Sequence, residues 1–229
     1  MVNEIVSYNE MCGREKASLQ RGMNFALGGG HSVILMSVRP NAPYDDRLED
    51  GGTILIYEGH DANNVRGGPD PKSVDQPEHT HSGKLTQNGR FHAAAQAFKA
   101  GKRPPERVRV YEKIKPGIWS YNGVFHLEDS WLERSGDRWV FKFRLAAVIG
   151  EHDTINRISL VAERRRVIPS HVKLEVWKRD GGKCTKCGAT DELHFDHVVP
   201  YSLGGSSLIA ENVQLLCARH NLEKRDKIE

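Results

Sequence analysis

Four side chains with the spacing of metal ligands lie near the C-terminal end of this chain. Cys184 and Cys187 form a Cys-x-x-Cys pair, and Cys217 and His220 form a Cys-x-x-His pair. Each spacing lets one tight turn direct two side chains at the same ion, and two such pairs complete a closed tetrahedral site. The alternative is that these are four ordinary side chains that bind no common metal ion, and such side chains rarely have this spacing. We therefore expect these four residues to bind a structural Zn²⁺ ion.

The length and the local composition of the chain divide it into two parts. Its 229 residues suffice for one medium and one small domain. A charged segment at residues 151–169 lacks the alternation typical of strands and ends in a proline. We predict a first domain at residues 1–150, a linker at residues 151–169 and a second domain at residues 170–229. A second domain of about 60 residues has a small core, so a bound metal would stabilise it.

The first part is rich in predicted strands. Short β-branched and aromatic runs, separated by Gly, Pro, Asn and Asp, are typical of a mainly β domain. The alanine-rich residues 88–99 predict one helix, and the polar residues 61–83 predict a long loop. The second part is predicted to hold a helix at residues 171–180, a strand at residues 193–200 and a helical segment at residues 211–227. Together these elements predict an α+β fold.

Between the metal ligands and just after them stands a further group of residues with a recognisable order. That group comprises Asp196, His197, Pro200, Gly204, Gly205, Asn212, Asn221 and Lys224. Over residues 168–227 this order resembles the signature of the HNH, or ββα-metal, endonucleases. One zinc position differs, because His220 stands where that family usually has a cysteine. The resemblance implies a small zinc-stapled ββα-metal domain that hydrolyses nucleic acid.

The resemblance also implies a role for four of these residues. His197 would be the general base that takes a proton from the attacking water, a task suited to an imidazole. Asp196 and Asn221 would hold one divalent cation, Mg²⁺ or Mn²⁺, against the scissile phosphate. Asn212 would fix the intervening loop and orient His197.

The first part carries a second resemblance, to the SRA (SET and RING associated, or YDG) domain. The matching segments, in order, are Tyr44-Asp45-Asp46, Gly51-Gly52, Tyr57-Glu58-Gly59, Asp75-Gln76 and the LTQN sequence at residues 85–88. The match covers about residues 32–145. It implies a twisted, PUA-like β-barrel with flanking helices that reads modified cytosine in double-stranded DNA.

The SRA resemblance predicts a pocket for a base flipped out of the duplex. Tyr44 and Tyr57 would stack on its two faces, and Asp46 would accept a hydrogen bond from the cytosine N4 amine. Asp45 would take that role if the register shifts by one residue. Glu58 would also line the pocket, where familiar SRA domains have a small residue. The modified base would be 5-methylcytosine or 5-hydroxymethylcytosine.

Net charge and hydropathy limit the other interpretations. The formal net charge is only +3, so an affinity for DNA has to come from local motifs. No apolar run approaches the roughly 20 residues of a membrane span. The first ten residues are polar and acidic, unlike a secretory signal, which predicts a cytoplasmic protein without a membrane partner. Candidate phosphate contacts are Arg39, Arg66, Arg90, Lys102, Arg103 and Arg107.

The two resemblances together predict a modification-dependent endonuclease, similar to a type IV restriction enzyme. Each HNH site cuts one strand, so a double-strand break predicts a homodimer. Two alternatives remain at this point. One is a homing-type HNH nuclease that reads unmodified DNA, and the other is a non-catalytic protein that binds methylated DNA.

Overall fold

The computed structural model describes residues 2–28, 30–148, 168–200, 203–225 and 227–228. Most of the predicted linker lies outside these described residues. Within them the chain forms one ten-stranded sheet with flanking helices, which confirms the predicted α+β class.

The strands and helices are numbered here in chain order. The strands are β1 Glu4–Ser7, β2 Met23–Leu27, β3 His31–Met36, β4 Arg47–Glu49, β5 Ile54–Glu58, β6 Glu106–Lys115, β7 Ile118–Ser135, β8 Arg138–Ala147, β9 Leu193–His197 and β10 Val213–Cys217. The helices are α1 Tyr8–Glu15, α2 Gln87–Lys99, α3 Ser170–Arg179 and α4 Ala218–Lys224.

The long strand β7 organises the sheet. It pairs with β6 along one edge, and with β1 and then β8 along the other. From β6 the sheet continues through the parallel neighbour β3 to β2, and from β8 it continues through β5 to β4. The path from β1 leads to β9 and β10. Both predicted regions of the chain therefore contribute to one sheet.

One hydrophobic core lies inside the first part of the chain. It contains residues from β2 and β3 at one end of the sheet and from β5 and β8 at the other, together with Phe91, Ala94 and Ala95 of α2. Strands from distant parts of the sheet can share a core only if the sheet curls around it, as in a barrel. Helix α2 packs against this core with its buried face.

The predicted helix at residues 88–99 is confirmed and begins one residue earlier, at Gln87. The side-chain oxygen of Thr86 caps it by accepting a hydrogen bond from the Gly89 backbone N–H. Its C-terminal end lies two residues before Gly101, which has a φ of 67°. Such a left-handed residue is typical just after a helix end.

The C-terminal region differs from the sequence prediction at one element. The predicted helix at residues 171–180 is confirmed by α3, and the strand at residues 193–200 by β9. The helical prediction for residues 211–227 is wrong in its first half. Residues Val213–Cys217 form β10, which pairs antiparallel with β9, and only Ala218–Lys224 is an α-helix. Buried Leu215 and Leu216 satisfy their backbone groups in this sheet.

The N-terminal strand β1 connects the two regions. It pairs with β7 over four residues and with β9 through Glu4 and His194. The Phe195 N–H also donates a hydrogen bond to the Asn3 oxygen over 3.1 Å. A second core, which contains Ile5 of β1 and Ile114 of β6, extends into α3, β9 and β10.

The predicted loop at residues 61–83 contains no α-helix or strand and one short 3₁₀ turn, Pro71–Ser73. Gln76 holds it against the barrel. Its side-chain amide donates to the Gly59 oxygen over 2.7 Å, and its side-chain oxygen accepts from the Phe141 N–H over 2.8 Å. Within the described residues, no helix combines the length and apolar composition that a membrane crossing needs.

Candidate functional site

The four predicted zinc ligands come together at the start of α4. The sulfur atoms of Cys184, Cys187 and Cys217 and one ring nitrogen of His220 all lie within 4.8 Å of one another. Cys187 Sγ lies 3.8 Å from Cys217 Sγ, and His220 Nδ1 lies 3.3 Å from Cys217 Sγ. A tetrahedron with Zn–S bonds of about 2.3 Å has edges of about 3.8 Å. The cluster therefore fits a tetrahedral zinc ion.

The local backbone explains how two cysteines of the first pair point the same way. Gly188 has a φ of 74° and donates its N–H to the Cys184 oxygen over 2.8 Å, which closes a tight knuckle. Burial acts to raise the pKa of Cys184. Backbone N–H groups of Cys217 and Cys187 and the His220 ring outweigh burial and lower this pKa to about 6. A thiol with a low pKa is ready to bind a metal as its thiolate.

The predicted catalytic pair lies at the end of β9. Asp196 and His197 are both partly buried there. His197 Nε2 lies 2.7 Å from the hydroxyl oxygen of Ser207, so this serine fixes the orientation of the imidazole. Asp196 Oδ2 is buried and accepts no well-formed hydrogen bond from any described residue. The cation in contact with this oxygen is the ammonium group of Lys224.

Lys224 of α4 lies beneath this pair. Its ammonium nitrogen lies 3.0 Å from Asp196 Oδ2 and donates a hydrogen bond to the His197 main-chain oxygen over 2.6 Å. The angle to Asp196 is too poor for a hydrogen bond, so that contact is an ion pair. The Lys224 side chain is 1% exposed. This lysine therefore joins α4 to the end of β9 and neutralises part of the charge at the site.

Asn212 fixes the loop between β9 and β10. Its side-chain oxygen accepts from the Val199 N–H over 2.8 Å, and its amide donates to the main-chain oxygens of Val199 and Ser206. It contacts the loop on both sides of the Gly-Gly turn and does not itself bond to the His197 ring. Its effect on His197 passes through the loop that carries Ser207.

Gly205 is required by the same packing. A Cβ atom at this position would lie 1.7 Å from the Val199 oxygen and 2.8 Å from the Asn212 amide nitrogen. The Gly204 before it has a φ of 89°, which an L-residue rarely adopts. The pair of glycines thus lets the loop close over Asn212.

Asn221 lies one turn before Lys224 on α4, so the two residues share a helix face. Because Lys224 contacts Asp196, this shared face is directed toward the end of β9. The amide oxygen of Asn221 and the carboxylate of Asp196 are the hard ligands that Mg²⁺ and Mn²⁺ prefer. These two residues are the ligands that we propose for a divalent cation.

For two residues of this site, Lys224 and Ser207, the sequence gave no indication of the contacts that they make. Lys224 was singled out only as a member of the family signature, and its burial against Asp196 has no signal in local sequence. Ser207 follows the Gly-Gly turn by two residues, and serine is common in turns. A buried lysine in a seven-residue helix could be recognised only once the opposite strand was known.

A cavity of about 960 Å³ lies at the open side of the barrel. Tyr44, Asp46 and Tyr57, all predicted pocket residues, line it together with His60. Tyr44 is half-buried, whereas the Tyr57 side chain is 1% exposed. Their chemistry, aromatic rings beside one buried acid, suits a flat polar ring with an amine on its edge.

His60 contacts both tyrosines of this cavity. Its ring stacks on Tyr44 with centroids 5.8 Å apart, and its Nε2 lies 3.2 Å from the Tyr57 hydroxyl. Burial lowers the pKa of His60 to about 4, so the ring is neutral at physiological pH. Gly22 lies against the same pair, since a Cβ there would be 2.6 Å from the Tyr57 hydroxyl. The sequence indicated no role for His60 in this pocket.

Asp46 is held rigidly in the cavity wall. One carboxylate oxygen accepts from the Ser37 N–H over 3.0 Å, and the other accepts from the Glu58 N–H over 3.1 Å. Burial raises the pKa of Asp46 to about 7, although these two hydrogen bonds act in the opposite direction. Asp46 is one of two acids that line this cavity, and Asp61 is the other.

Asp45 and Glu58 lie elsewhere than their predicted position beside the tyrosines. They line a neighbouring cavity of about 660 Å³, which Tyr44 and Asp46 also border. Adjacent residues of a strand point to opposite faces, so Glu58 points away from Tyr57. Its carboxylate lies 3.0 Å from the ammonium of Lys142, which also binds Asp45.

Basic side chains surround the larger cavity. Of the predicted phosphate contacts, Arg39 and Arg90 line it, whereas Arg66, Lys102, Arg103 and Arg107 do not. Arg103 instead forms an ion pair with Glu106. Arg21 and Lys113 also line the cavity, and their sequence surroundings gave no signal for this.

Comparison with known proteins gives matches to solved structures and to one protein-family model. The chain is similar to the crystal structure of SUVH5 SRA with hemi-methylated CG DNA, at 24% identity and a TM-score of 0.45, over 68% of this chain and 93% of that one. It is also similar to SUVH5 SRA bound to fully hydroxymethylated CG DNA, at 23% identity and a TM-score of 0.44, over 66% of this chain and 91% of that one. The match to SUVH6 of Arabidopsis thaliana in complex with SAM has 20% identity and a TM-score of 0.42, over 86% of this chain and 31% of that one.

No curated protein sequence matches the chain. The family model of the HNH endonucleases, however, matches residues 184–227, which include every zinc ligand and every predicted catalytic residue. The similarity to the HNH endonucleases thus lies in the C-terminal region of this chain, around the Cys₃His cluster and the end of β9.

Proposed function

We propose that this protein is a modification-dependent DNA endonuclease, similar to a type IV restriction enzyme. The observation that carries the proposal is the continuity of one sheet between two sites. At one, Tyr44 and Asp46 line a cavity in the barrel. At the other, β9 ends in Asp196 and His197 of the HNH domain. A protein that joins these two sites can direct a cut to the neighbourhood of a recognised base.

In this proposal the barrel binds 5-methylcytosine or 5-hydroxymethylcytosine after the base has left the duplex. Stacking on an aromatic ring stabilises a flipped base by roughly 1 to 3 kcal/mol. The half-buried ring of Tyr44 supplies this surface, and Asp46 accepts a hydrogen bond from the cytosine N4 amine. The cavity volume of about 960 Å³ is within the range of small-molecule sites.

The HNH domain supplies the hydrolytic step. His197 accepts the proton of the attacking water while Ser207 holds its ring in place. Asp196 and Asn221 hold a single Mg²⁺ or Mn²⁺ ion. When bound, such an ion stabilises the negative charge of the phosphate and of the leaving oxygen. Lys224 joins α4 to the end of β9, and the Cys₃His cluster would hold the surrounding domain together around Zn²⁺.

The proposal extends to organisation and location. Residues 1–150 form the reader and residues 170–229 the nuclease, with residues 151–169 between them. Because one HNH site cuts one strand, we propose a homodimer that acts in the cytoplasm on double-stranded DNA. Light scattering with and without DNA tests the dimer. A monomer that linearises a plasmid in one step would contradict it.

The decisive experiment compares one duplex prepared with plain, 5-methyl and 5-hydroxymethyl cytosine. Each form is incubated with Mg²⁺, with Mn²⁺ and with EDTA, using wild-type protein and His197→Ala. We expect the wild-type protein to cleave one or both of the modified duplexes and to leave the plain duplex intact. We expect no cleavage in EDTA and none by His197→Ala. Equal cleavage of all three forms would favour a homing-type nuclease. Metal-independent binding of modified DNA without cleavage would favour a non-catalytic binder.

A further inference from the structure

A buried lysine joins the HNH region to the barrel. Lys173 belongs to α3 of the C-terminal region, and none of its side chain is exposed. Its ammonium donates a hydrogen bond to the side-chain oxygen of Asn122 over 2.7 Å and lies 3.2 Å from Glu112 Oε2. The Asn122 amide also donates to Glu112 over 3.0 Å. All three partners are buried and bonded to one another.

A buried charged network of this kind rarely serves stability alone. Removing an ammonium and a carboxylate from water carries a large desolvation penalty, and apolar side chains of the same volume are often as stable. The documented use of such groups is to select one register between packed elements. Lys173 can be satisfied only where Glu112 of β6 and Asn122 of β7 meet.

This network lies on a chain of contacts between the two sites. On the barrel side, Asn122 contacts the sulfur of Met36, which lines the larger cavity. On the nuclease side, the Arg179 guanidinium at the end of α3 donates to the Val213 oxygen over 2.6 Å. Val213 is the residue of β10 that pairs directly with His197.

The strand β1 provides a second connection. It pairs with β7 of the barrel and with β9 of the nuclease region, where the Phe195 N–H donates to Asn3. The twist between paired strands is variable, and the apolar packing of α3 in the second core is non-directional, so neither alone fixes the rotation of α3 over the barrel. Lys173 specifies that rotation because its partners lie on two adjacent strands.

We propose that Lys173, Glu112 and Asn122 form a latch that fixes the nuclease site at one distance and orientation from the base-reading cavity. This inference rests on the proposed function. Lys173 is a positioning residue, which acts through α3 and β10 on His197. The consequence of this latch is a constant distance along the DNA between the modified cytosine and the cut.

The first test maps cut positions of the wild-type protein at nucleotide resolution. The substrates are duplexes with a single modified cytosine in several flanking sequences. We expect the same offset in every sequence. The test then uses Lys173→Met/Glu112→Gln, which removes both charges together and leaves an uncharged network of similar volume. We expect this variant to bind the modified duplex within about twofold of wild type and to cut at about three times as many positions or more.

The matched control is Lys178→Met, which makes the same substitution at an exposed position of the same helix. It should retain the wild-type offset. A scattered wild-type offset, or a double variant that cuts at the wild-type positions, would overturn the latch.

A readout without DNA separates failure of the latch from failure of the proposed function. Hydrogen exchange of peptides covering residues 2–7 and 193–197 reports whether β1 and β9 remain paired. In the double variant we expect faster exchange there, with unchanged protection of residues 138–147 in the barrel. Unchanged exchange at residues 193–197 would reject the latch, whatever the protein does to modified DNA.

Discussion

The ammonium group of Lys224 lies 3.0 Å from the carboxylate of Asp196, and both residues lie in the segment that matches the HNH family model. The lysine is buried, so Asp196 has a fixed positive partner before any cation arrives. The same ammonium holds the main-chain oxygen of His197. One side chain thus determines the position of two predicted catalytic residues.

We predict that Lys224→Met abolishes cleavage and destabilises the protein. Removing one partner of a buried ion pair costs about 3 kcal/mol, because the other charge loses its compensation. The expected result is a lower midpoint in urea unfolding, together with loss of cleavage under conditions where the variant is still folded. Lys227→Met, at an exposed position just beyond α4, serves as the control. Full cleavage by a folded Lys224→Met protein would contradict this role.

The hydrogen bond between His197 and Ser207 gives a graded prediction. His197→Ala should lower kcat by at least about 100-fold, since a general base contributes that much or more. Ser207→Ala should lower kcat by roughly tenfold, because it removes only the group that orients the ring. Both variants should bind modified DNA as wild type does, measured by fluorescence anisotropy. An equal kcat for Ser207→Ala and Ser206→Ala would exclude the orienting role.

Loss of the Cys₃His metal should unfold the C-terminal region. Structural zinc sites in small domains contribute about 10 kcal/mol or more to folding, so that region has no folded state without the ion. We predict one zinc per wild-type chain by elemental analysis and less than half of that in Cys217→Ser. Cys12→Ser, which changes a cysteine outside the cluster, should keep the full amount. Equal zinc content in both variants would contradict the assignment.

Asp46 predicts a particular dependence of stability on pH. Burial raises its pKa from 3.8 to about 7 in the folded protein. Between these values the folded state holds a proton that the unfolded state has lost, so its contribution to stability is present at low pH and is lost as the pH rises toward 7. From pH 5 to pH 8 this loss is about 3 kcal/mol.

Urea unfolding of wild type and Asp46→Asn at these two pH values isolates the effect. His60, whose pKa is lowered to about 4 by burial, acts in the opposite direction but equally in both proteins. We expect the free energy of unfolding of wild type, relative to the variant, to be smaller at pH 8 than at pH 5. If the difference in free energy of unfolding between the two proteins were the same at both pH values, Asp46 would not be the group that ionises in this range.

The reader function gives a prediction at the cavity rim. Tyr44→Ala should remove the stacking surface and reduce the preference for modified over plain DNA by about tenfold. Trp139→Ala, at an exposed aromatic residue that lines neither cavity, should leave this preference unchanged. Competition binding with modified and plain duplexes measures the ratio. An unchanged ratio in Tyr44→Ala would move the reading site to another surface.

Much of the fold follows from local sequence patterns. Helix α2 has regular apolar spacing and a capping threonine, and the strands β3, β5, β6 and β8 have β-branched and aromatic runs, so each was predictable. Strand β10 was not, because its Leu-Leu-Cys sequence fits a buried helix as well as a strand. Only the pairing with β9, twenty residues or so away in sequence, decides between them. Strand β1 is short and polar at both ends, and its partners lie in distant parts of the chain.

The same division applies to the sites. The four metal ligands and the Asp196-His197 pair have fixed spacings, which sequence displays directly. Lys224, His60 and Asp46 acquire their properties from burial beside residues that only the fold brings near. Glu58 shows the reverse case, because strand alternation in β5 directs this acid away from Tyr57 and the expected pocket. Spacing therefore singled out the candidate groups, and packing determined their surroundings.

The position of β1 has a consequence for how the chain is made. Because Glu4–Ser7 lies between β7 and β9, the C-terminal strands complete their sheet on a segment that leaves the ribosome long before them. Such distant pairing forms late in folding. The edge of β9 would be unpaired in an isolated C-terminal fragment, and unpaired edges promote aggregation. In the proposed function, the nuclease region would thus mature only after the reader region has been synthesised, which would limit the time during which an unguided nuclease is present in the cell.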